Sequence, residues 1–241
     1  MNAIEDNRHT RAWQQIGASM PRPAAILMVS AHWYTNGTGV TAMREPRTIH
    51  DFYGFPPELF AIRYPAPGAP ALAQRVQALL DPVSVTEDHE WGLDHGAWSV
   101  LVRMFPSANI PVVQLSIDAS QPAEFHYRLG QQLAALRDEG VMLMGSGNVV
   151  HNLRLLDWQA TGEGLPWATE FNERIRNAIT SGDHQAAINY GTDDAARLSV
   201  PTPEHYLPLL YVLGASAGER AAFPADGIEL GSISMLSVQY G

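Results

Sequence analysis

A chain of 241 residues is long enough to bury one large α/β core without disulfides or structural metals. Its 46% hydrophobic and 17% charged residues exclude a disordered chain, and 15 basic against 25 acidic side chains, a net charge of −10, make a nucleic-acid backbone an unsuitable partner. Cys and Lys are both absent, which excludes thiolate nucleophiles, iron–sulfur clusters, Schiff-base lysines and a P-loop, and leaves any metal to His nitrogens and carboxylate or water oxygens.

The pattern opens with a helix-like segment from Ile4 to Ile16. Ala24 to His32 follows as a continuous apolar run of strand length, which suits a central strand buried on both faces. A short strand is predicted from Gly39 to Met43. After it comes a long loop rich in Pro, Gly and aromatics, Glu45 to Pro70, of the irregular kind that carries function in compact domains. Helix is predicted from Ala71 to Leu80, strand from Val83 to Thr86, helix from Gly96 to Met104 and strand from Val112 to Ile117. The clearest helix runs from Pro122 to Gly140 with Phe125, Leu129, Leu133 and Leu136 on one face. Strand resumes at Val141 to Met144. Helical patterns then span Pro166 to Ser181 and Pro203 to Leu213, and an alternating strand closes at Ser232 to Gln239. Strands alternating with helices predict a single α/β domain over residues 1–241, its central sheet mostly parallel or mixed and flanked by helices. No apolar run approaches spanning length and no signal-like stretch is seen, so no membrane is expected and the chain reads as cytoplasmic.

Ligands of α/β sheets gather beyond the C-terminal ends of strands, and two of the best strands end on Ser30-Ala-His32 and on Gly145-Ser-Gly-Asn-Val-Val-His151. An imidazole at position 32 either caps the following loop or reaches out as a ligand. His151 follows a glycine-rich turn that could equally be a helix-capping loop. His95 sits between Asp94 and Gly96, where the glycine permits close backbone approach and the carboxylate can fix the ring's tautomer. His205 lies in Pro201-Thr-Pro-Glu-His205-Tyr, as a helical core residue or a ligand. His50 is in the long loop. His9, His89, His126 and His184 stand among polar neighbours and are expected to face solvent. The sequence holds neither a Gly-Xaa-Ser-Xaa-Gly elbow nor a dinucleotide fingerprint. Together the histidines favour a His-rich divalent metal or acid/base centre.

The segments Ser30-Ala-His32-Trp33, Thr48-Ile-His50-Asp51-Phe52, Tyr64-Pro-Ala-Pro-Gly68, Leu93-Asp-His95-Gly96, Gln114-Leu-Ser-Ile117, Ser146-Gly-Asn-Val-Val-His151-Asn152, Pro203-Glu-His205-Tyr-Leu-Pro208 and Ser234-Met-Leu-Ser-Val-Gln239, in that order, resemble the class III (LigB-type) extradiol ring-cleavage dioxygenases, in particular the DOPA 4,5-dioxygenase branch. The resemblance implies a LigB-like fold and oxygen-dependent cleavage of a DOPA-like catechol, the expected partners being that catechol and O2. It implies one divalent metal, Fe2+ for activity with Zn2+ as an alternative occupant, held by His32 and His205. His151 matches an acid/base position beside the metal, and is also a ligand candidate. His95 matches a catalytic histidine that hydrogen-bonds substrate or oxygen, with Asp94 in a position to orient it. Trp33, His50, Phe52 and Tyr206 are expected in the substrate wall.

The family pattern begins with a short apolar strand running into Gly-His-Gly-Ser-Pro, whose histidine is a further ligand, directly before the Met-Asn that opens this chain. The expectation is therefore a chain truncated at its N-terminus relative to the family, and a metal weakly held without that ligand. Two other readings fit the same histidines: a zinc-dependent hydrolase acting through metal-bound water, and a non-catalytic binding protein on a decayed enzyme scaffold.

Overall fold

β1 (Ala25–Thr35) runs through the middle of the molecule for the reason its sequence suggests. Alternating side chains serve two cores, Leu27 and Val29 on one face of the sheet and Ile26 and Met28 on the other, all essentially inaccessible to water. Each such burial contributes about 2 kcal/mol. The computed structural model describes residues 1–160, 162, 164–216 and 218–241.

In chain order, α1 (Arg8–Ser19) precedes β1, β2 (Thr38–Thr41) follows it, and α2 (Pro57–Ala61) and α3 (Pro70–Leu80) lead to β3 (Val85–Asp88). Then come α4 (His95–Met104), β4 (Val112–Asp118), α5 (Ala123–Leu133), α6 (Ala135–Asp138) and β5 (Val141–Ser146). After a 3-10 turn at Leu153–Leu155 the chain forms α7 (Pro166–Ser181), α8 (His184–Ile188), α9 (Asp194–Ser199) and α10 (Leu207–Ala215), and ends with β6 (Ala222–Ala225), β7 (Ile228–Glu229), β8 (Ile233–Ser234) and β9 (Ser237–Gln239). The main sheet has five strands in the order β3-β2-β4-β1-β5. β1 runs parallel to both β4 and β5, β2 runs parallel to β3, and the single antiparallel pairing is β2 with β4. It is the expected mixed, mostly parallel sheet. One core packs α3, α5, α7 and α10 against it, and the other packs α4, Tyr64 and the N-terminal segment on the opposite face.

Several details depart from the sequence patterns. The long helix breaks at Ala134, whose amide turns back to Gln131 O at 3.3 Å, and α5 and α6 result. No Gly or Pro stands there, so nothing local announces the break. The closing strand is two short ones, β8 and β9, which pair with β7 and β6 in separate ribbons outside the main sheet. The loop from Glu45 to Pro70 contains α2, and α8 and α9 form where no helix is predicted. Among the described residues no helix is long and apolar enough to cross a membrane. The outer edge of β5 has no strand partner among the described residues, and a groove of about 740 Å3 lies along it between Trp13 and Ile16 of α1 and Pro208 and Val212 of α10.

Candidate metal centre

β1 keeps register with β4 as far as Val29 and resumes it at Tyr34, with a shift between. That irregularity frees the stretch holding His32, just past Ser30, the last residue paired with β5. Ser30 and His32 face the first turn of α4. A Cβ on Gly96 would stand 2.5 Å from Ser30 Oγ and 2.7 Å from His32 Cδ2, so only glycine allows this approach, which brings His95 against His32. The loop after β5 is equally close to the segment before α10: Gly147 passes where a Cβ would meet the His205 carbonyl oxygen at 2.2 Å, and the Asn148 amide donates to that oxygen at 2.8 Å.

Four imidazoles therefore converge from four segments. The centroids of His32 and His95 are 3.8 Å apart. His205 meets His32 edge-on at 5.2 Å, and His151 lies flat on His205 at 3.4 Å. The backbone of His151 is held by its amide donating to Ser199 O at 2.9 Å. Asn148 settles the tautomer of His205: its Nδ2 donates to Ser234 O at 2.7 Å, which leaves Oδ1 to accept from His205 Nδ1 at 3.2 Å. The Nε2 lone pair of His205 is then free for a cation.

The carboxylate beside His95 is not the adjacent one. Asp94 is fully buried as the N-cap of α4, accepting from the Ala97 amide (3.0 Å), Ser30 Oγ (2.7 Å) and Gln114 Nε2 (2.7 Å), so it does not orient His95. Asp51 takes that place. Its Oδ1 accepts from the His95 amide at 2.8 Å, and its Oδ2 lies 2.9 Å from His95 Nδ1 and 3.4 Å from His32 Nδ1. The Oδ2 contact is at ion-pair distance but off the in-plane N–H direction of the ring, so His95 Nδ1 remains a buried atom with no aligned acceptor. The sequence signal for Asp51 was its place beside His50 in the long loop; nothing local pointed it at His95.

Burial favours the neutral form of three of these rings, His32, His151 and His205. His32 is lowered from its ordinary value by burial and then by the neighbouring His95 charge, His151 is lowered by burial to about 4, and His205 falls well below its usual range by burial and its three imidazole neighbours. Burial pushes Asp51 upward, but the His95 contact and the His95 and His32 charges outweigh it and hold Asp51 low. Neutral imidazoles beside an ionised carboxylate are the donor set of a non-haem divalent metal. His32, Asp51 and His95 each offer a ligand atom within 4.8 Å of the other two, and His205 adds its bare Nε2. The residues fit the group.

Of the expected substrate wall, Phe52 packs edge-on against His95 at 5.3 Å, and His50 stands behind it at 5.8 Å, bonded through Nε2 to Ile62 O. Trp33 and Tyr206 do not belong there. Trp33 points to the face of β1 opposite His32 and stacks on Trp91, because neighbouring strand residues alternate. Tyr206 is core: its ring packs against Tyr190 and Phe171, and its hydroxyl donates to Ala187 O at 2.7 Å. Two histidines expected at the surface are also buried. His9 is bonded to Glu229 Oε1 at 2.9 Å, and His126 contacts the Tyr211 hydroxyl at 3.0 Å, on the same stripe of α5 as Leu129 and Leu133. His89 is exposed as expected, while His184 is half-buried, its Nδ1 3.0 Å from the Tyr127 hydroxyl.

Residues 3–238 match the family described as the catalytic LigB subunit of aromatic ring-opening dioxygenase. A 4,5-DOPA dioxygenase extradiol of Escherichia coli (strain K12) is 58% identical over 246 residues, covering 100% of this chain and 91% of the relative. Its counterpart of the same name in Beta vulgaris is 41% identical over 229 residues, covering 92% and 84%. The crystal structure of an uncharacterized Escherichia coli K12 protein superposes with a TM-score of 0.87 at 54% identity, covering 99% of this chain and 94% of that one.

Proposed function

The chain belongs to the LigB family of extradiol aromatic ring-opening dioxygenases, which use a non-haem metal, and we propose that it opens the ring of a catechol carrying an amino-acid side chain, 3,4-dihydroxyphenylalanine (DOPA), at the 4,5 position. The observation that carries this reading is the convergence of His32, His95, His151 and His205 at the end of the sheet.

His32 and His205 would hold the metal, with His151 beside them. Ferrous iron bound there supplies the electron exchange between catechol and O2 that redox-inert Zn2+ cannot. Asp51 acts as the outer partner of two rings at once, turning the Nδ1 sides of His32 and His95 toward itself. His151, stacked flat on His205, is the imidazole placed beside the metal ligands to accept the proton of a catechol hydroxyl and to return it later in the cycle. His95, held through its amide by Asp51 with its Nδ1 side toward that carboxylate, would present its far edge to the reacting atoms. Phe52 supplies an apolar surface for the substrate ring and excludes water on that side.

The test is oxygen uptake with DOPA after loading with Fe2+ or with Zn2+. Uptake with Fe2+ alone is expected, and His151→Ala is expected to lower kcat by about 10²-fold or more. Absence of uptake by the Fe2+-loaded protein, or full turnover by His151→Ala, would overturn respectively the activity or the proton-transfer role.

A further inference from the structure

The hydrogen bonds that fix Asn148 do not end at the Ser234 carbonyl. They run on to Asn172, a polar side chain in the interior of α7, on the stripe that also buries Ala168, Phe171, Ile175 and Ile179. Asn is a poor helix former, and a buried amide costs free energy unless both its ends are bonded. Both are. Its Nδ2 donates to Asp226 Oδ1 at 3.0 Å, and its Oδ1 accepts from Ser234 Oγ at 2.6 Å. Asp226 is paired in turn with Arg176, one turn along the same helix, at 3.2 Å. Ser234 carries this tie to the metal centre: its amide donates to Val150 O at 2.9 Å and its carbonyl accepts from Asn148 Nδ2 at 2.7 Å. Its neighbour Ile233 forms an antiparallel bridge with His151. β8 thus splints the loop after β5 at Asn148, Val150 and His151, the stretch that supplies both the partner of His205 Nδ1 and the His151 ring. Each amide along this path is oriented by a partner that can only accept, the ion-paired Asp226 carboxylate for Asn172 and the Ser234 carbonyl for Asn148. Neither amide can flip without setting oxygen against oxygen.

We propose that Asn172 is a positioning residue of the metal centre: acting through Ser234 and Asn148, it holds His205 in the tautomer that carries its proton on Nδ1 and leaves Nε2 open to a cation. The inference rests on the reading of His205 as a metal ligand. Asn172 acts at two removes from the ring, so its contribution is to how tightly the metal is held and takes no part in the chemistry on the substrate. It also explains why α7 keeps an amide where its neighbours on the stripe are apolar.

The test combines the Zn2+ affinity of the full chain, by competition with a chromophoric chelator, with the tautomer of His205 in the metal-free protein, by long-range 1H–15N correlation. Asn148→Leu is expected to raise the Zn2+ Kd by about 10- to 100-fold and to abolish the Nδ1-protonated signature. Asn172→Leu is expected to raise Kd about threefold or more and to give mixed tautomers, yet to have no further effect on Kd in the Asn148→Leu background. That non-additivity separates positioning from a general loss of stability. Should Asn172→Leu fail to fold, Ser234→Ala, which deletes only the hydroxyl, is expected to shift Kd and tautomer the same way, and Ser234→Thr to restore both. A lower Tm with Kd and tautomer unchanged, additive effects in the double variant, or a wild-type His205 protonated on Nε2 overturns the assignment. If the wild type binds no Zn2+, the ligand reading of His205 fails, and the tautomer comparison alone decides whether the path from Asn172 orients the ring.

Discussion

The burial that makes an imidazole a good metal donor also makes it a liability in acid. His126, with no part in the metal centre, isolates the effect: it is buried against Tyr211, and burial lowers it to about 4 against 6.5 for an exposed ring. The folded state therefore binds fewer protons than the unfolded state between those values. The stability His126 permits is complete above pH 6.5 and is lost as pH falls toward 4, by about 3 kcal/mol. His126→Phe should remove that slope, so that the stability difference between wild type and variant shifts by about 3 kcal/mol in favour of the variant between urea melts at pH 7 and pH 4. An unchanged difference would show that the ring already titrates normally in the fold. His126 was legible in part. It stands three and seven residues before Leu129 and Leu133, on the stripe that α5 buries, but its polar neighbours in sequence outweighed that spacing in the reading. Asp51 was not legible at all, because its partner His95 is forty-four positions away and only the path of the loop brings them together.

At the level of elements, the metal centre depends on how α4 is seated. Asp94 caps its N-terminus and takes hydrogen bonds from Ser30 on β1 and Gln114 on β4, so one buried carboxylate ties the helix to two strands of the sheet. Removing it leaves those donors unsatisfied and frees the turn that carries His95. Asp94→Ala should cost about 3 kcal/mol or more, a Tm drop on the order of 10 °C in a chain of this size, and should weaken metal binding in parallel. A variant that melts like wild type would refute this role. Elements with strong periodicity or continuous apolarity, such as β1, β4, α3 and α7, were readable along the chain. The break between α5 and α6 and the division of the last strand into β8 and β9 were not, since each is imposed by what packs alongside rather than by any residue that stops a helix or strand.

For the molecule as a whole, a cation at the end of the sheet would add one common tie to four segments already joined in pairs by hydrogen bonds: the end of β1, the start of α4, the loop after β5 and the turn before α10. Binding to the folded state alone raises stability, by about 2.7 kcal/mol at a free-metal concentration a hundred times Kd. Thermal melts should therefore rise on addition of Zn2+ and fall back with a chelator. His32→Ala should abolish the rise, and Asp51→Asn, which keeps the imidazoles but loses their outer partner, should weaken metal affinity by about 10- to 100-fold. If Asp51→Asn abolishes binding as completely as His32→Ala, the carboxylate is itself a ligand in the triad with His32 and His95. By itself the sequence determined the chemical repertoire, since a chain without Cys or Lys has only imidazoles and carboxylates for such work, and it determined which strands are buried, because apolar periodicity is a local property. Only the tertiary structure decided which rings meet, that Asp51 rather than Asp94 serves His95, and that Trp33 and Tyr206 turn into the core. Those facts depend on strand order, on the irregularity at the end of β1 and on contacts between segments far apart in the chain, and spacing along the backbone carries no distance across the fold.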